Sequence, residues 1–276
     1  MIGVTRPLYR AGVVLCLAAR LSRAQADTTS PNTFFTPHDA AVAGIFLGVS
    51  AGLSYFDARI ARNFRDTTYR HVRVGKRLDD IFTHINETTL TVGGLAIYGI
   101  AKLAKQEATA DIAFHTAESV AAASLTAQVI RGPLGRTRPK DAQDAYNDQY
   151  EFHFMKGFTH FQQRSFPSIH SSSGFAAAAA LSEEVNMRAP GARWWLGVPL
   201  YAMAATPGLS RMYLGQHWAS DIFSGAFLGV FYGRRIVQYS HAHPTTRVDK
   251  IFLGSTKGSR TNFAPGGTRI GWSWSF

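Results

Sequence analysis

Apolar residues in this chain gather into charge-free stretches that are too long for strands. They run Ala40–Phe56, Thr88–Ala101, Ser119–Ile130, Trp194–Ser210 and Ile222–Gly233, with the alanine-rich Gly174–Leu181 between the third and the fourth. Strands occupy about 4–8 residues and helices about ten or more, so length argues for helices. Six of them in this order predict an all-α fold, a bundle of about six core helices. Between Lys140 and Phe166 the pattern lapses, and Tyr146, Tyr150, Phe152, Phe154, Phe158, Phe161 and Phe166 crowd one connection. A loop of this length in a compact domain is commonly a lid or a binding segment. Its rings read either as an apolar wall beside a site or as anchors that tie the loop to the bundle. After Ser240, His241, His243 and Pro244 break the last helix. At the C-terminus Ile270, Trp272, Trp274 and Phe276 alternate with small or polar residues, the period of a half-buried strand. Gly266–Gly267 supplies a turn, and Lys250–Leu253 or Thr261–Phe263 are candidate partners, which predicts a small C-terminal β-hairpin appendage.

The amino terminus adds a compartment. Arg6 and Arg10 precede the apolar Ala11–Ala19, and Ala24-Gln25-Ala26 is a small-x-small cleavage site, the form of a secretory signal. The expected organisation is a signal peptide over 1–26, a linker over 27–37, a helical domain over 38–240 and a tail over 241–276. The single cysteine, Cys16, lies in the signal, which suits an exported chain that folds without disulfides. The expected place is the periplasm or the outer side of a bacterial membrane. Net charge is +11; four arginines and no acid in the signal leave 25 basic against 18 acidic residues, or about +7. That balance suits an anionic lipid headgroup or a phosphorylated substrate and a membrane surface. Nucleic acid is excluded as the expected partner, since the basic residues form no stripe and no recognition motif appears. A spanning helix needs about 20 apolar residues, and the longest stretch here has 17. Asp111, His115 and Glu118 interrupt the third helix and would be tolerable in lipid only if they faced the bundle interior. Mean hydropathy is −0.07. Peripheral and integral readings both stay open, as does the oligomeric state.

Three stretches carry chemistry: Arg131-GPLGRT-Arg138-Pro139, Pro167-Ser168-Ile169-His170 and Ser210-Arg211-MYLGQ-His217-WAS-Asp221. Phosphoryl transfer without a metal needs guanidinium groups to hold the anionic oxygens, a nucleophile and an acid, and these stretches contain all of them. His217 and Asp221 are four apart and share a face if both are helical, so the carboxylate is expected to accept from Nδ1 and leave Nε2 to attack phosphorus. Arg211 is expected in the turn entering that helix. Ser168 reads as a helix cap whose hydroxyl and following N–H groups face a phosphate, with His170 in the first turn as general acid. Arg131 and Arg138 flank a Gly-Pro-Leu-Gly segment read as a loop that turns both side chains toward one anion. His153, His160 and Asp79–Asp80 have no ligand spacing, so no metal and no other cofactor is expected.

In this order the three stretches resemble the signature of the type 2 phosphatidic acid phosphatase and vanadium haloperoxidase superfamily (PAP2), written KxxxxxxRP, PSGH and SRxxxxxHxxxD. The resemblance covers about residues 38–240. It implies that Arg131, Arg138, Arg211, Ser168 and the Ile169 N–H bind phosphate, that His217 is the nucleophile and Asp221 its partner, and that His170 is the acid. Two positions depart from it. Arg131 stands for lysine, which exchanges a point charge for a planar fork, and Ile169 stands for glycine, whose replacement is strained if φ is positive there. The implied activity is metal-independent hydrolysis of a phosphate mono- or diphosphate ester of a lipid or isoprenoid through a phosphohistidine. A vanadium-dependent haloperoxidase is an alternative, because vanadate mimics phosphate, although those enzymes tend to be larger and no halide site is evident. A non-catalytic phospholipid-binding module is another, against which the presence of both His170 and His217 argues.

Overall fold

In the computed structural model the described residues are 33–65, 84–244 and 246–254, all within one unit spanning 32–260. The expected signal peptide, Asp79–Asp80, Thr261–Phe263 and the alternating Ile270–Phe276 segment lie outside them. The helices are α1 (Pro37–Ser54), α2 (Asp57–Arg65), α3 (Glu87–Leu103), α4 (Glu107–Leu134), α5 (Ala145–Asp148), α6 (Ile169–Arg188), α7 (Arg193–Tyr213), α8 (Ala219–Ala242) and α9 (Arg247–Phe252). Each of the six apolar stretches lies on its own long helix: α1, α3, α4, α6, α7 and α8. No strand occurs among the described residues, so the all-α expectation holds there.

Local signals explain the boundaries. Thr36 caps α1 in a reciprocal box with Asp39, behind Pro37 at the first helical position. Asn86 caps α3 by accepting from Thr88 N and Thr89 N. Two expected boundaries are corrected. The Gly132–Gly135 segment is not a loop: α4 continues through Pro133 to Leu134, and Gly135 then turns left-handed at φ 59° to end it. Arg131 therefore stands on the last turn of a helix. In the tail, Lys250–Leu253 cannot pair as a strand, because Thr246 caps α9 by accepting from Asp249 N and the helix runs through Phe252.

α6 lies between α4, α7 and α8 and has the smallest side chains of the bundle. Ala176–Ala180 and Ser171–Ser173 are buried along it. Opposite them α8 presents Gly225, Gly229 and Gly233, one per turn. A Cβ added at Gly229 would lie 2.4 Å from Ser172 O and 2.7 Å from Ala176 N, so only glycine lets the two backbones pack this closely. The close crossing brings the N-terminal ends of α6 and α8 together, where Ser168 N donates to Asp221 O at 3.1 Å.

The outer faces are apolar. Leu47, Val92, Ile100, Leu103, Trp195 and Val198 are each at least 60% exposed. No single described helix is long and apolar enough to cross a membrane, although α1 with α2, bent by 59°, meets that measure as a pair.

Candidate active site

Five segments meet at one end of the bundle: the last turn of α4, the strand-like run after it, the start of α6, the end of α7 and the start of α8. Arg136 organises them. Its Nη1 donates to Asp221 Oδ1 at 2.5 Å and Ser220 Oγ at 2.8 Å, and its Nη2 donates to Asp57 Oδ2 at 2.9 Å. Its Nε donates to Gln149 O at 3.0 Å. Asp57 in turn accepts from Ser220 N at 2.9 Å. Trp218, fully buried, donates its indole N–H to Thr137 O at 2.8 Å and fixes the run that ends in Arg138. Nothing in the sequence singled out Arg136, Asp57 or Ser165. Arg136 looked like a spacer between the two motif arginines.

Arg131 and Arg138 have a different electrostatic setting. Neither forms a salt bridge among the described residues, and the Nε–H of each is buried without a hydrogen-bond partner. Both reach toward Arg164 O, at 3.5 Å from Arg131 Nη1 and 3.5 Å from Arg138 Nη2. Burial first, and then neighbouring guanidinium groups, push each of them down to about 10. Arg136 is more deeply buried than Arg131, yet the carboxylates of Asp221 and Asp57 push it up. The end of α4 and the run after it thus carry a neutralised cation and a mutually repelling pair, and the pair is suited to an incoming anion. Phe161 lies beneath the Arg138 guanidinium, 3.8 Å from carbon to ring centre.

Both histidines face this cationic cup. His170, in the first turn of α6, accepts from Arg211 Nη2 at Nε2 across 2.7 Å. Burial, followed by the charges of Arg211, His217, Arg131 and Arg138, holds its pKa down to about 3. Arg211 is on the last turn of α7, not in a turn entering α8. His217 precedes α8, whose cap is Trp218, so it does not share a helical face with Asp221. Its Nδ1 lies 2.6 Å from Ser165 O and 3.8 Å from Asp221 Oδ2. A carbonyl can only accept, so Nδ1 carries the hydrogen and Nε2 keeps its lone pair. The expected Asp221-to-Nδ1 bond is therefore corrected. Asp221 instead accepts from Ser165 Oγ at 2.5 Å, Trp218 N at 2.8 Å and Arg136, and acts on His217 through the Ser165 segment. Burial pushes His217 below the ordinary histidine value and Asp221 opposes it, so the ring is neutral at pH 7.

Ser168 caps α6, as expected, by accepting from Ser171 N at 3.4 Å. Ile169 is the first residue of the helix. Positive φ at non-glycine positions occurs, among the described residues, at Lys105 and Met155, so the strain expected from Ile169 does not arise. The aromatic connection is held to the run after α4 by backbone bonds, His153 N to Gly135 O at 2.9 Å and Arg138 N to Gln162 O at 3.0 Å among them, while some of its rings stay open to solvent: Phe154 is 81% exposed and Phe161 59%. His153 pairs with Glu151 at 3.0 Å and His160 with Thr159 at 2.8 Å, both away from any ligand cluster.

The PAP2 superfamily profile matches residues 113–244, a span that includes all of these side chains except Asp57. Residues 113–244 belong to the PAP2 superfamily. Among curated relatives, the lipid A 1-phosphatase of Porphyromonas gingivalis is 38% identical over 69 residues, which is 25% of this chain and 15% of that one. The lipid A 1-phosphatase of Rhizobium johnstonii is 27% identical over 64% of this chain and 70% of its own length, and that of Rhizobium etli is 26% identical over 66% and 75%. In fold, the chain is similar to the crystal structure of a transmembrane PAP2 type phosphatidylglycerolphosphate phosphatase from Bacillus subtilis. The TM-score is 0.56 at 18% identity, with 75% of this chain and 97% of that one covered. The three relatives are named as lipid A 1-phosphatases, and the likeness to the Bacillus subtilis protein is one of fold.

The depressed His170 has a consequence for stability. It binds a proton near pH 3 when folded and near 6.5 when unfolded. Between those values the unfolded chain takes up the extra proton. The stability linked to this group is therefore full above about pH 6.5 and is lost as pH falls toward 3. Melting midpoints of the PAP2 protein should fall between pH 7 and 4, with a shallower fall in His170→Asn. Equal slopes would contradict a buried, neutral His170.

Proposed function

We propose that the protein removes a phosphate group from an anionic lipid or isoprenoid mono- or diphosphate at a membrane surface, through a phosphohistidine at His217. The observation that carries this reading is the pair Arg131 and Arg138, which sit beside two imidazoles, are crowded by like charge and form no salt bridge among the described residues, although Glu87 and Asp141 act on them from farther off. The phosphate oxygens enter between the guanidinium groups of Arg131, Arg138 and Arg211, at the N-terminal end of α6 with Ser168 and the Ile169 N–H. Arg211 then leaves His170 Nε2 for the phosphate, and the anion raises the His170 pKa so that the ring is protonated.

His217 Nε2 attacks phosphorus as the bond to the leaving oxygen breaks, and His170 gives its proton to that oxygen. Water then attacks the phosphohistidine, His170 takes a proton from it, and inorganic phosphate departs with His217 restored. The hydrogen bond from Nδ1 to Ser165 O holds the reactive tautomer throughout.

Exposed rings on the aromatic connection and the apolar outer helices suit a lipid carrier for that phosphate. The relatives named for lipid A 1-phosphatase activity point to the same class. An exported protein acting on the outer side of a bacterial membrane fits the amino-terminal signal. The test is phosphate release in EDTA from lipid A, phosphatidate, undecaprenyl diphosphate and a soluble monoester, presented in detergent micelles. Release from at least one lipid at a kcat/KM about a hundredfold above the soluble monoester is expected. Turnover confined to the soluble monoester would overturn the lipid reading, and turnover of none would overturn the phosphatase.

A further inference from the structure

The opposite ends of α4, α6 and α8 carry a second polar cluster. Asp111 and His115 of α4, Glu184 of α6 and His241 of α8 each place one donor atom within 4.8 Å of all the others. Asp111 is twenty residues from Arg131 along α4, and His241 is twenty from Asp221 along α8. At about 1.5 Å per residue the cluster is roughly 30 Å from the arginine cup, and it takes no part in the hydrolytic machinery.

Its geometry is that of a ligand shell. His115 has no exposed surface, and its Nε2 is 3.3 Å from Asp249 Oδ1. A carboxylate accepts, so Nε2 carries a hydrogen and Nδ1 is the ring atom turned toward Asp111 and Glu184. That Nδ1 is buried and makes no hydrogen bond, with Asp111 Oδ1 at 3.5 Å and Glu184 Oε1 at 3.8 Å. Arg188 holds the outer oxygens, donating Nη2 to Asp111 Oδ2 at 2.6 Å and Nε to Glu184 Oε2 at 2.8 Å. The remaining Glu184 oxygen is 2.9 Å from His241 Nε2. Burial opposes a proton on His115, but Asp249, Glu184 and Asp111 close on the ring and push its pKa up to about 9. A divalent cation bound there takes the place of that proton among the same carboxylates.

We propose that this cluster binds one divalent transition-metal ion, with Zn²⁺ the best fit, through Asp111, His115, Glu184 and His241. Two imidazoles with two carboxylates favour zinc over magnesium or calcium, which take oxygen shells. Four protein ligands and burial make the site closed and structural. A tetrahedral shell with bonds of about 2.0–2.2 Å separates neighbouring ligand atoms by roughly 3.3–3.5 Å. The separations of 2.9, 3.5 and 3.8 Å bracket that value, and the widest must close by little more than about 1 Å. Asp249 behind His115 and Arg188 behind the carboxylates are the supporting shell that orients such ligands. Bound there, the ion ties α4, α6 and α8 directly and α9 through Asp249.

The test uses the full-length protein, purified in detergent, exposed to Zn²⁺, dialysed into metal-free buffer and analysed by elemental mass spectrometry. About one zinc per chain is expected in the unsubstituted protein and in His217→Ala, and less than about 0.2 in His241→Ala and Glu184→Gln. His241 is chosen because its side chain is 21% exposed and its loss disturbs packing least. With Co²⁺ in place of zinc, the unsubstituted protein should show the intense visible bands of tetrahedral coordination, and His241→Ala should not. EDTA should lower the melting midpoint while leaving the initial rate of phosphate release unchanged, which separates this site from the phosphate site. A folded protein that retains less than about 0.1 equivalent of metal, or equal metal in the unsubstituted protein and both ligand variants, overturns the proposal. In that case protons on the two imidazoles balance the carboxylates.

Discussion

Replacing His217 with alanine should reduce phosphate release at least about a thousandfold for every substrate that the unsubstituted protein turns over. The ring contributes a lone pair at Nε2 that is held in place through Nδ1, 2.6 Å from Ser165 O. In the proposed mechanism no covalent intermediate forms without it, and water must attack unaided. Binding should persist, because Arg131, Arg138 and Arg211 do not depend on the ring, so inorganic phosphate should still bind to His217→Ala. Rapid acid-free quenching with a labelled lipid phosphate should trap acid-labile label on the unsubstituted chain and none on the variant. Labelled protein recovered equally from both would exclude His217 as the nucleophile. Asp221→Asn should behave differently. Its carboxylate is bonded to Arg136, Ser165 and Trp218 rather than to His217, so the variant should lose stability together with rate. A purely tautomer-setting aspartate would lose rate alone.

Arg136→Met should be the most destabilising single change in the catalytic end of the molecule. The guanidinium is buried and joins two carboxylates, Asp57 and Asp221, that are themselves fully buried. Removing one partner of a buried pair costs about 3–5 kcal/mol, because the stranded charge remains. For a domain of this size that corresponds to a fall of roughly 10 °C in melting midpoint. Asp57 is raised by burial and by the nearby Asp221 even with Arg136 present, and without it both carboxyls are driven toward protonation. Arg131→Met provides the contrast. It relieves repulsion from Arg164 and Arg138, so its midpoint should stay level or rise while KM for the lipid phosphate increases. Equal loss of stability in both variants, measured by differential scanning fluorimetry, would refute the division between a structural and a phosphate-facing arginine.

Much of the bundle was readable because a charge-free stretch of a dozen residues has few alternatives to a helix, and the five such stretches and the shorter alanine-rich run each lie on a long helix. The same holds for Ser168 as a cap and for His170 in a first turn, where chemistry and local geometry agree. Errors arose where local rules compete with packing. Pro133 suggested a break, yet one missing N–H near the end of α4 is tolerated and Gly135 supplies the stop. Spacing of four suggested one face for His217 and Asp221, but the helix starts after His217, and Asp221 stays in its first turn to bind the Trp218 N–H.

From the chain alone came the helical class, the count of core helices and the roll of candidate phosphate ligands, since these depend on side-chain type and short-range spacing. Folding assigned the partners: Asp57 to Arg136 across 79 residues, Ser165 to His217 across 52, and Asp249 to His115 across 134. The reason is physical. Helix formation is a property of neighbouring residues, whereas neutralising a buried charge or fixing an imidazole requires a particular atom from a distant segment, and only the packed bundle determines which atom arrives.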